Sequence, residues 1–455
     1  MNLDLFAAGF LAAMGVITAS FITYLITRYV EYKGRGSSKK AIKDRAAWRK
    51  KQIKNFSYST GGAVAAAVLI GFLLSWWDPS DKLPQDIWLM VLPTTISSIL
   101  LTAYIRRKHK KHIVVSATAL VLSVLFGLLL VNNYYRYYPT LYSVIGIQNR
   151  IKVIADRHST TFEYTKDHSA APVGSIENDL YGPNFSPKGT IESVRIPGKV
   201  SKFNARDGWL YVPRIAGGKT AVDLPVIVLM AGTPGAPTDW LNGGGLQATL
   251  DTYATVHHGI TPMVFVLDEN GSQLNDTECV DSARGNVETY LSVDVPTYIK
   301  SHFNVSTTPD HWAIGGLSLG GLCGVMLALR HQDTFHYFLD FGGESAPEIG
   351  SEDKTITGLF NGSQAEYQAH IPMNLLLGHK YPNMGGFFAI GKSDNPKTVD
   401  NLQSLYQLTK QSDMNSVLEM IGGEHTFNVW QQSFKDALPW IANQLGSDNC
   451  TTACH

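Results

Sequence analysis

The stretch His311-Trp312-Ala313-Ile314-Gly315-Gly316-Leu317-Ser318-Leu319-Gly320-Gly321 reads as a buried strand, a glycine-flanked serine and the start of a helix. This is the pattern of a nucleophile elbow, in which the serine sits on a strained strand-to-helix turn. Gly316 and Gly320 flank the serine where neighbouring backbones leave no room for a Cβ. The helix expected next, Leu322–Arg330, points its N-terminus at the serine, where free N–H groups can stabilise an oxyanion. A Gly-x-Ser-x-Gly turn is only moderately specific by itself, so the chain around it has to decide its meaning.

From about residue 190, short β-branched runs alternate with helical segments, the pattern of an α/β sheet. The expected strands are Ile191–Ile196, Gly208–Val212, Leu224–Met230, Met263–Leu267, Trp312–Gly315, Tyr337–Phe341, Phe387–Ile390 and Val417–Ile421. Several are continuous apolar runs, as parallel strands buried on both faces require. The expected helices are Leu246–Val256, Val287–His302, Leu322–Arg330, Thr398–Gln411 and Thr426–Asn443. The result is a mainly parallel, eight-stranded sheet with helices on both faces and the serine after the fifth strand. Ligands bind beyond the carboxyl ends of such strands. Segment 344–386 is too irregular to assign and is read as a lid or acyl-binding wall.

A catalytic serine needs a base to take its proton and an acid to orient that base. In this architecture they follow in the order Ser, Asp or Glu, His. Asp394, in Gly391-Lys392-Ser393-Asp394-Asn395-Pro396, follows the seventh strand; His425, in Gly422-Gly423-Glu424-His425-Thr426-Phe427, follows the eighth. Glu424 and Asp400 are alternative acids, and Asp340, at the end of the sixth strand, is a further one. The oxyanion donors expected are the N–H of Leu319 and one from the loop Met230-Ala231-Gly232-Thr233-Pro234-Gly235-Ala236-Pro237. Pro234 has no N–H, so Thr233 is the better donor. Asp268, after the fourth strand, borders the expected cleft and could position substrate or brace its own turn.

The first third of the chain has a different character. Residues 3–26, 56–76, 87–105 and 113–131 are each apolar and long enough to span a bilayer. Ten Lys and Arg residues lie between Lys33 and Lys54, and Arg106-Arg107-Lys108-His109-Lys110-Lys111-His112 joins the last two runs. The positive-inside rule puts both basic loops in the cytoplasm and both termini outside. Apart from Asp4 at the start of the first run, carboxylates and lysines, the intramembrane marks of a transporter, are missing from these runs. Small residues such as Ser116, Ala117, Ser123 and Gly127 allow close helix packing and possible homo-oligomerisation. The expected organisation is therefore a four-helix transmembrane domain over 1–131, a connector over 132–190, the α/β domain over 191–445 and a tail over 446–455.

Lys and Arg total 38, as do Asp and Glu, so bulk charge gives no reason to expect a nucleic-acid partner. The cysteines are Cys279, Cys323, Cys450 and Cys454, without a C-x-x-C pair or zinc spacing, so no metal is expected. In an oxidising compartment Cys450 could pair locally with Cys454, and Cys279 with Cys323 would tie a loop to the elbow helix. Free buried thiols are the alternative for the second pair.

The segments Ala231-Gly232-Thr233, Asp268-Glu269-Asn270-Gly271, Asn286-Val287-Glu288-Thr289-Tyr290-Leu291, Gly316-Leu317-Ser318-Leu319-Gly320-Gly321 and Gly423-Glu424-His425-Thr426 carry a resemblance. Residues 190–445 are similar to the esterase family of α/β-hydrolases that includes esterase D, feruloyl esterases and mycolyltransferases. The resemblance implies an α/β-hydrolase fold, Ser318 as nucleophile, His425 as base, Asp394 as acid, and no metal or organic cofactor. The four-span prefix departs from the family pattern and leaves the substrate open. The resulting expectation is a membrane-anchored, extracytoplasmic serine esterase acting on a lipid or cell-envelope ester beside membrane lipids. An acyltransferase of mycolyltransferase type and an inactive hydrolase-fold scaffold or sensor are the alternatives.

Overall fold

The computed structural model describes residues 8–30, 40, 42–54, 57–58, 87–106, 110–141, 188–213, 223–257, 259–273 and 275–446. The chain divides into two compact units, Met1–Ile147 and Gln148–His455. Residues 59–76 of the second expected span, residues 142–187 of the connector, and Cys450 and Cys454 in the tail lie outside the described residues.

In the first unit the helices are α1 (Ala8–Val30), α2 (Ile87–Arg106) and α3 (Lys110–Tyr135). Residues 42–54, expected only as part of a basic loop, are also helical. Among the described residues two helices are long and apolar enough to cross a membrane: Phe10–Tyr29, with mean hydropathy 1.9, and Lys110–Tyr135, with 2.7. Two of the four expected spans thus contain such a helix, Val91–Arg106 in the third is a shorter apolar helix, and the second lies almost wholly outside the described residues. Ser116, Ala119, Ser123 and Gly127 form the buried stripe of α3, at helical spacing. Ser123 Oγ bonds Ser97 Oγ of α2 at 3.0 Å, and Tyr104 Oη of α2 donates to the Leu25 carbonyl of α1 at 2.8 Å. Such polar bonds between apolar helices leave fewer groups in need of water.

The second unit is built on eight strands: β1 (Thr190–Val194), β2 (Gly208–Val212), β3 (Val226–Met230), β4 (Met263–Val266), β5 (Trp312–Leu317), β6 (Tyr337–Phe341), β7 (Gly385–Gly391) and β8 (Asn415–Ile421). They lie in the order β1-β2-β4-β3-β5-β6-β7-β8. β2 is antiparallel to both β1 and β4, and every other pairing is parallel. The apolar run Val226–Met230 is buried throughout. Each such side chain contributes about 1.5–3 kcal/mol on leaving water, which explains why central strands are so legible as unbroken apolar runs.

The flanking helices are α4 (Leu246–Val256), α5 (Val295–His302), α6 (Leu319–Arg330), α7 (Pro396–Gln411) and α8 (Phe427–Gln444). The helix expected over Val287–His302 is interrupted by a π turn at Tyr290–Asp294. Pro296 lacks a backbone donor, and Asp294 turns its carboxylate outward to accept the N–H groups of Val200 and Ser201 at 2.8 and 2.9 Å. The segment left unassigned over 344–386 contains three short helices, Glu352–Leu359, Gln364–Gln368 and Pro372–Leu376. α6 begins at Leu319 rather than Leu322 and is buried from Leu319 to Leu329, so the serine sits directly at its N-terminus.

A disulfide joins Cys279 to Cys323 with Cα atoms 5.7 Å apart. It ties the loop after β4 to the second turn of α6, a few residues past Ser318.

Candidate active site

Ser318 occupies φ 53°, ψ −124°, a region that costs a non-glycine residue roughly 1–3 kcal/mol and persists only where the surroundings impose it. Those surroundings are specific. A Cβ on Gly316 would overlap the Met230 carbonyl, and one on Gly320 would come within 2.6 Å of the Ala231 carbonyl. The Ser318 N–H donates to the Phe341 carbonyl at 3.0 Å and the Gly320 N–H to the Ala231 carbonyl at 2.9 Å. The elbow is thereby fixed to both neighbouring strand ends.

His425 comes from the loop after β8 and places Nε2 3.0 Å from Ser318 Oγ. Its Nδ1 lies 2.9 Å from Oδ2 of Asp394, which comes from the loop after β7. A carboxylate only accepts, so Nδ1 carries a proton toward Asp394 and Nε2 is left to accept from the serine hydroxyl. Asp394 is 8% exposed and takes the Asn395 N–H on its other oxygen at 2.6 Å. Asn395 in turn caps α7 by accepting the Lys397 N–H at 3.0 Å. The Trp430 ring meets the imidazole in a T-shaped contact, with centroids 4.8 Å apart and planes at 85°. Asp400 is exposed on α7 and Asp340 bonds elsewhere, so Asp394 is the carboxylate paired with His425.

Leu319 is the first residue of α6, where an N–H has no intrahelical acceptor. The loop holding Thr233 crosses beside the serine: a Cβ on Gly232 would lie 3.1 Å from Ser318 Cβ. Thr233 is thus brought close to Ser318, with its hydroxyl accepting from Asn270 Nδ2 at 2.8 Å.

Asp268 is placed differently from a substrate contact. Its side chain is fully buried and accepts from Arg206 Nε and Nη2 at 3.0 and 2.6 Å, and from the N–H groups of Asn270 and Gly271 at 3.1 and 3.0 Å. Its oxygens are spent on the protein, which is the turn-bracing alternative. Arg206 and Trp430 carry no local sequence signal, because each meets its partners only through the fold.

Two further carboxyls are buried in this region. Burial, with help from the Asp268 charge, pushes Glu269 up to about 8. Burial likewise pushes Asp340 up to about 7, against the Gly343 N–H that it accepts at 2.7 Å. Because the folded-state value of Asp340 is raised, its contribution to stability is fully present below the unfolded value and is lost as pH rises through the folded one. Asp340→Asn keeps the acceptor without the charge. The variant is expected to gain stability relative to the wild type between about pH 4 and pH 7, by at most about 4 kcal/mol. Thermal melts at both pH values check this, and parallel pH profiles for the two proteins would contradict it.

A cavity of about 420 Å³ lies apart from the serine, lined in part by Glu288, Arg330, His331, Phe360 and His370. Glu288 is held well below the usual carboxylate range: the bonds from His331, His370 and Arg330 outweigh its burial.

The Esterase family, described as "Putative esterase", matches residues 208–441. An uncharacterized protein of Corynebacterium glutamicum is 30% identical over 417 residues, covering 89% of this chain and 92% of that one. That likeness is longer than the 208–441 match and so extends beyond the sheet-bearing region. Among solved structures, a ferulic acid esterase superposes with a TM-score of 0.50 at 17% identity, over 57% of this chain and 99% of its own. An S-formylglutathione hydrolase from Agrobacterium tumefaciens gives 0.48 at 18% identity, over 58% and 98%. At 17% identity the likeness to the ferulic acid esterase is one of fold.

Proposed function

The chain belongs to the Esterase family and is a carboxylic-ester hydrolase or a related acyltransferase, and from that premise we propose that it is a membrane-anchored, extracytoplasmic serine esterase acting on a lipid or cell-envelope ester. The observation that carries the reading is the continuous hydrogen-bonded series from Ser318 Oγ through His425 to Asp394, set at the N-terminus of α6. Ser318 Oγ attacks the ester carbonyl while His425 Nε2 takes its proton, and the carbonyl oxygen becomes an oxyanion facing the Leu319 and Thr233 N–H groups. The carbon–oxygen bond to the alcohol breaks, His425 returns the proton to the leaving alkoxide, and an acyl-enzyme remains. Water, activated by the same imidazole, then releases the acid and restores the serine. Transfer to a sugar hydroxyl would differ only in this last acceptor.

The Cys279–Cys323 disulfide supports an oxidising, extracytoplasmic setting. The two apolar helices of the first unit support anchoring, and an anchor raises the local concentration of a bilayer-resident substrate. The bundle could also carry a homo-oligomeric contact. The test is turnover by the full chain reconstituted in vesicles that contain an ester lipid, compared with the same lipid supplied in separate vesicles. Preference for its own bilayer and an acyl adduct trapped on Ser318 in mass spectrometry are expected. Equal rates from both vesicle populations would remove the anchoring argument, and absence of any adduct in an intact protein would favour a scaffold.

A further inference from the structure

We propose that Arg206 is a positioning residue for the oxyanion loop: its guanidinium bridges Asp268 to the Gly235 carbonyl and holds Thr233 against the nucleophile. This rests on the esterase reading, since it assigns a role within that reaction.

The topology explains how a residue before β2 reaches a loop after β3. β4 lies between these two strands, and β2 runs antiparallel to it, with Trp209 opposite Val266. The start of β2 therefore lands at the carboxyl-end edge, next to the residues that follow β4. Arg206 is two residues before β2, Asp268 two residues after β4, and Gly235 five residues after β3. Arg206 Nε and Nη2 fork onto Asp268 Oδ1 at 3.0 and 2.6 Å, while Nη1 donates to the Gly235 carbonyl at 2.9 Å. Only a planar guanidinium presents donors to both acceptors at once in a fixed geometry. Lysine carries its three donors on one nitrogen, so it cannot reproduce the two-nitrogen fork on Asp268 together with the bond to Gly235.

The loop is anchored at both limbs. On the near side the Ala231 carbonyl accepts the Gly320 N–H at 2.9 Å, which ties it to α6 whatever happens to Arg206. On the far side stand the Arg206 bond to Gly235 and the bond from the Ala236 N–H to Asp239 at 3.0 Å. Thr233 lies between the limbs, and Pro234 after it has no N–H to offer. Loss of Arg206 leaves the far limb held by the Ala236–Asp239 bond alone and the Asp268 carboxylate buried without its cation; Asn270, whose N–H Asp268 accepts and whose Nδ2 bonds the Thr233 hydroxyl, loosens with it, so the Thr233 N–H loses part of its fixed aim while the substrate surface remains. An oxyanion donor displaced by a fraction of an ångström weakens transition-state binding and leaves ground-state binding nearly intact.

Full-length Arg206→Gln, Arg206→Lys and, as a surface control, Arg195→Gln would be compared with wild type on a p-nitrophenyl ester. Active sites are counted with a fluorophosphonate, and an aryl boronic acid serves as a tetrahedral mimic. Arg195 pairs with Asp207 in solvent and touches none of this network. Arg206→Gln is expected to lose about 10- to 100-fold in kcat per labelled site with KM within about threefold, and to weaken the boronate by the same factor. Arg206→Lys should fall between it and wild type, and it supplies the measurement if the glutamine variant does not fold. A kcat per labelled site within about twofold of wild type in both variants, even with a lowered melting temperature, would overturn the inference. So would a loss of kcat with boronate affinity unchanged. A wild type that neither labels nor turns over ester defeats the esterase reading itself, and the inference with it.

Discussion

Ser318→Ala is expected to abolish fluorophosphonate labelling and to lower ester turnover by about 10⁴- to 10⁶-fold while leaving the fold intact. The hydroxyl is the group that His425 Nε2 faces at 3.0 Å, and no other route to an acyl-enzyme passes through that imidazole. The melting temperature should change little. Alanine keeps the Cβ, and the bond from the residue 318 N–H to the Phe341 carbonyl does not involve the side chain. His425→Ala should be nearly as inactive, and the double variant no worse than either single one, because residues that act as a unit do not lose activity additively. Labelling that survives in Ser318→Ala and maps to another serine would sink the assignment.

What the sequence carried and what it hid differ in physical kind. The elbow was legible because the close approach of the Met230 and Ala231 carbonyls around the strained Ser318 turn leaves room only for glycine at 316 and 320. The central strands were legible because burial on both faces removes every polar residue from Val226–Met230. The order of Asp394 and His425 was legible because both follow strands, on loops that the parallel sheet delivers to one edge. Long-range pairings were not legible. The Arg206–Asp268 bridge joins residues 62 positions apart, and neither has a periodic neighbour to announce it. Asp268 was read as bordering the cleft, which its place after β4 does imply, but the antiparallel β2 brings a cation against it and turns its carboxylate inward. The Cys279–Cys323 pairing stayed open in sequence because connectivity depends on where α6 meets the loop after β4. Apolar runs specify helices by composition alone, so the first unit was easier to populate with spans than to count them.

The acid of the series gives the other large effect: Asp394→Asn is expected to cut kcat by about 10⁴-fold at neutral pH with the backbone undisturbed. An asparagine in this place can turn its amide nitrogen toward His425 Nδ1, and that nitrogen donates where the carboxylate accepted at 2.9 Å. His425 then holds its proton on Nε2, which points it at Ser318 Oγ, and the imidazole cannot take a proton from the serine. The substitution therefore acts through the tautomer, and the new side chain's amide oxygen can still accept the Asn395 N–H that helps to start α7. Glu424→Gln and Asp400→Asn provide the contrast, because His425 Nδ1 faces Asp394 and not either of these carboxylates. Both should stay within about threefold of wild type, the range of an ordinary surface change. The check is kcat per labelled site for all three variants. Equal losses at Asp394 and Glu424 would mean that the two carboxylates share the imidazole in solution, and full activity in Asp394→Asn would move the orienting role away from residue 394.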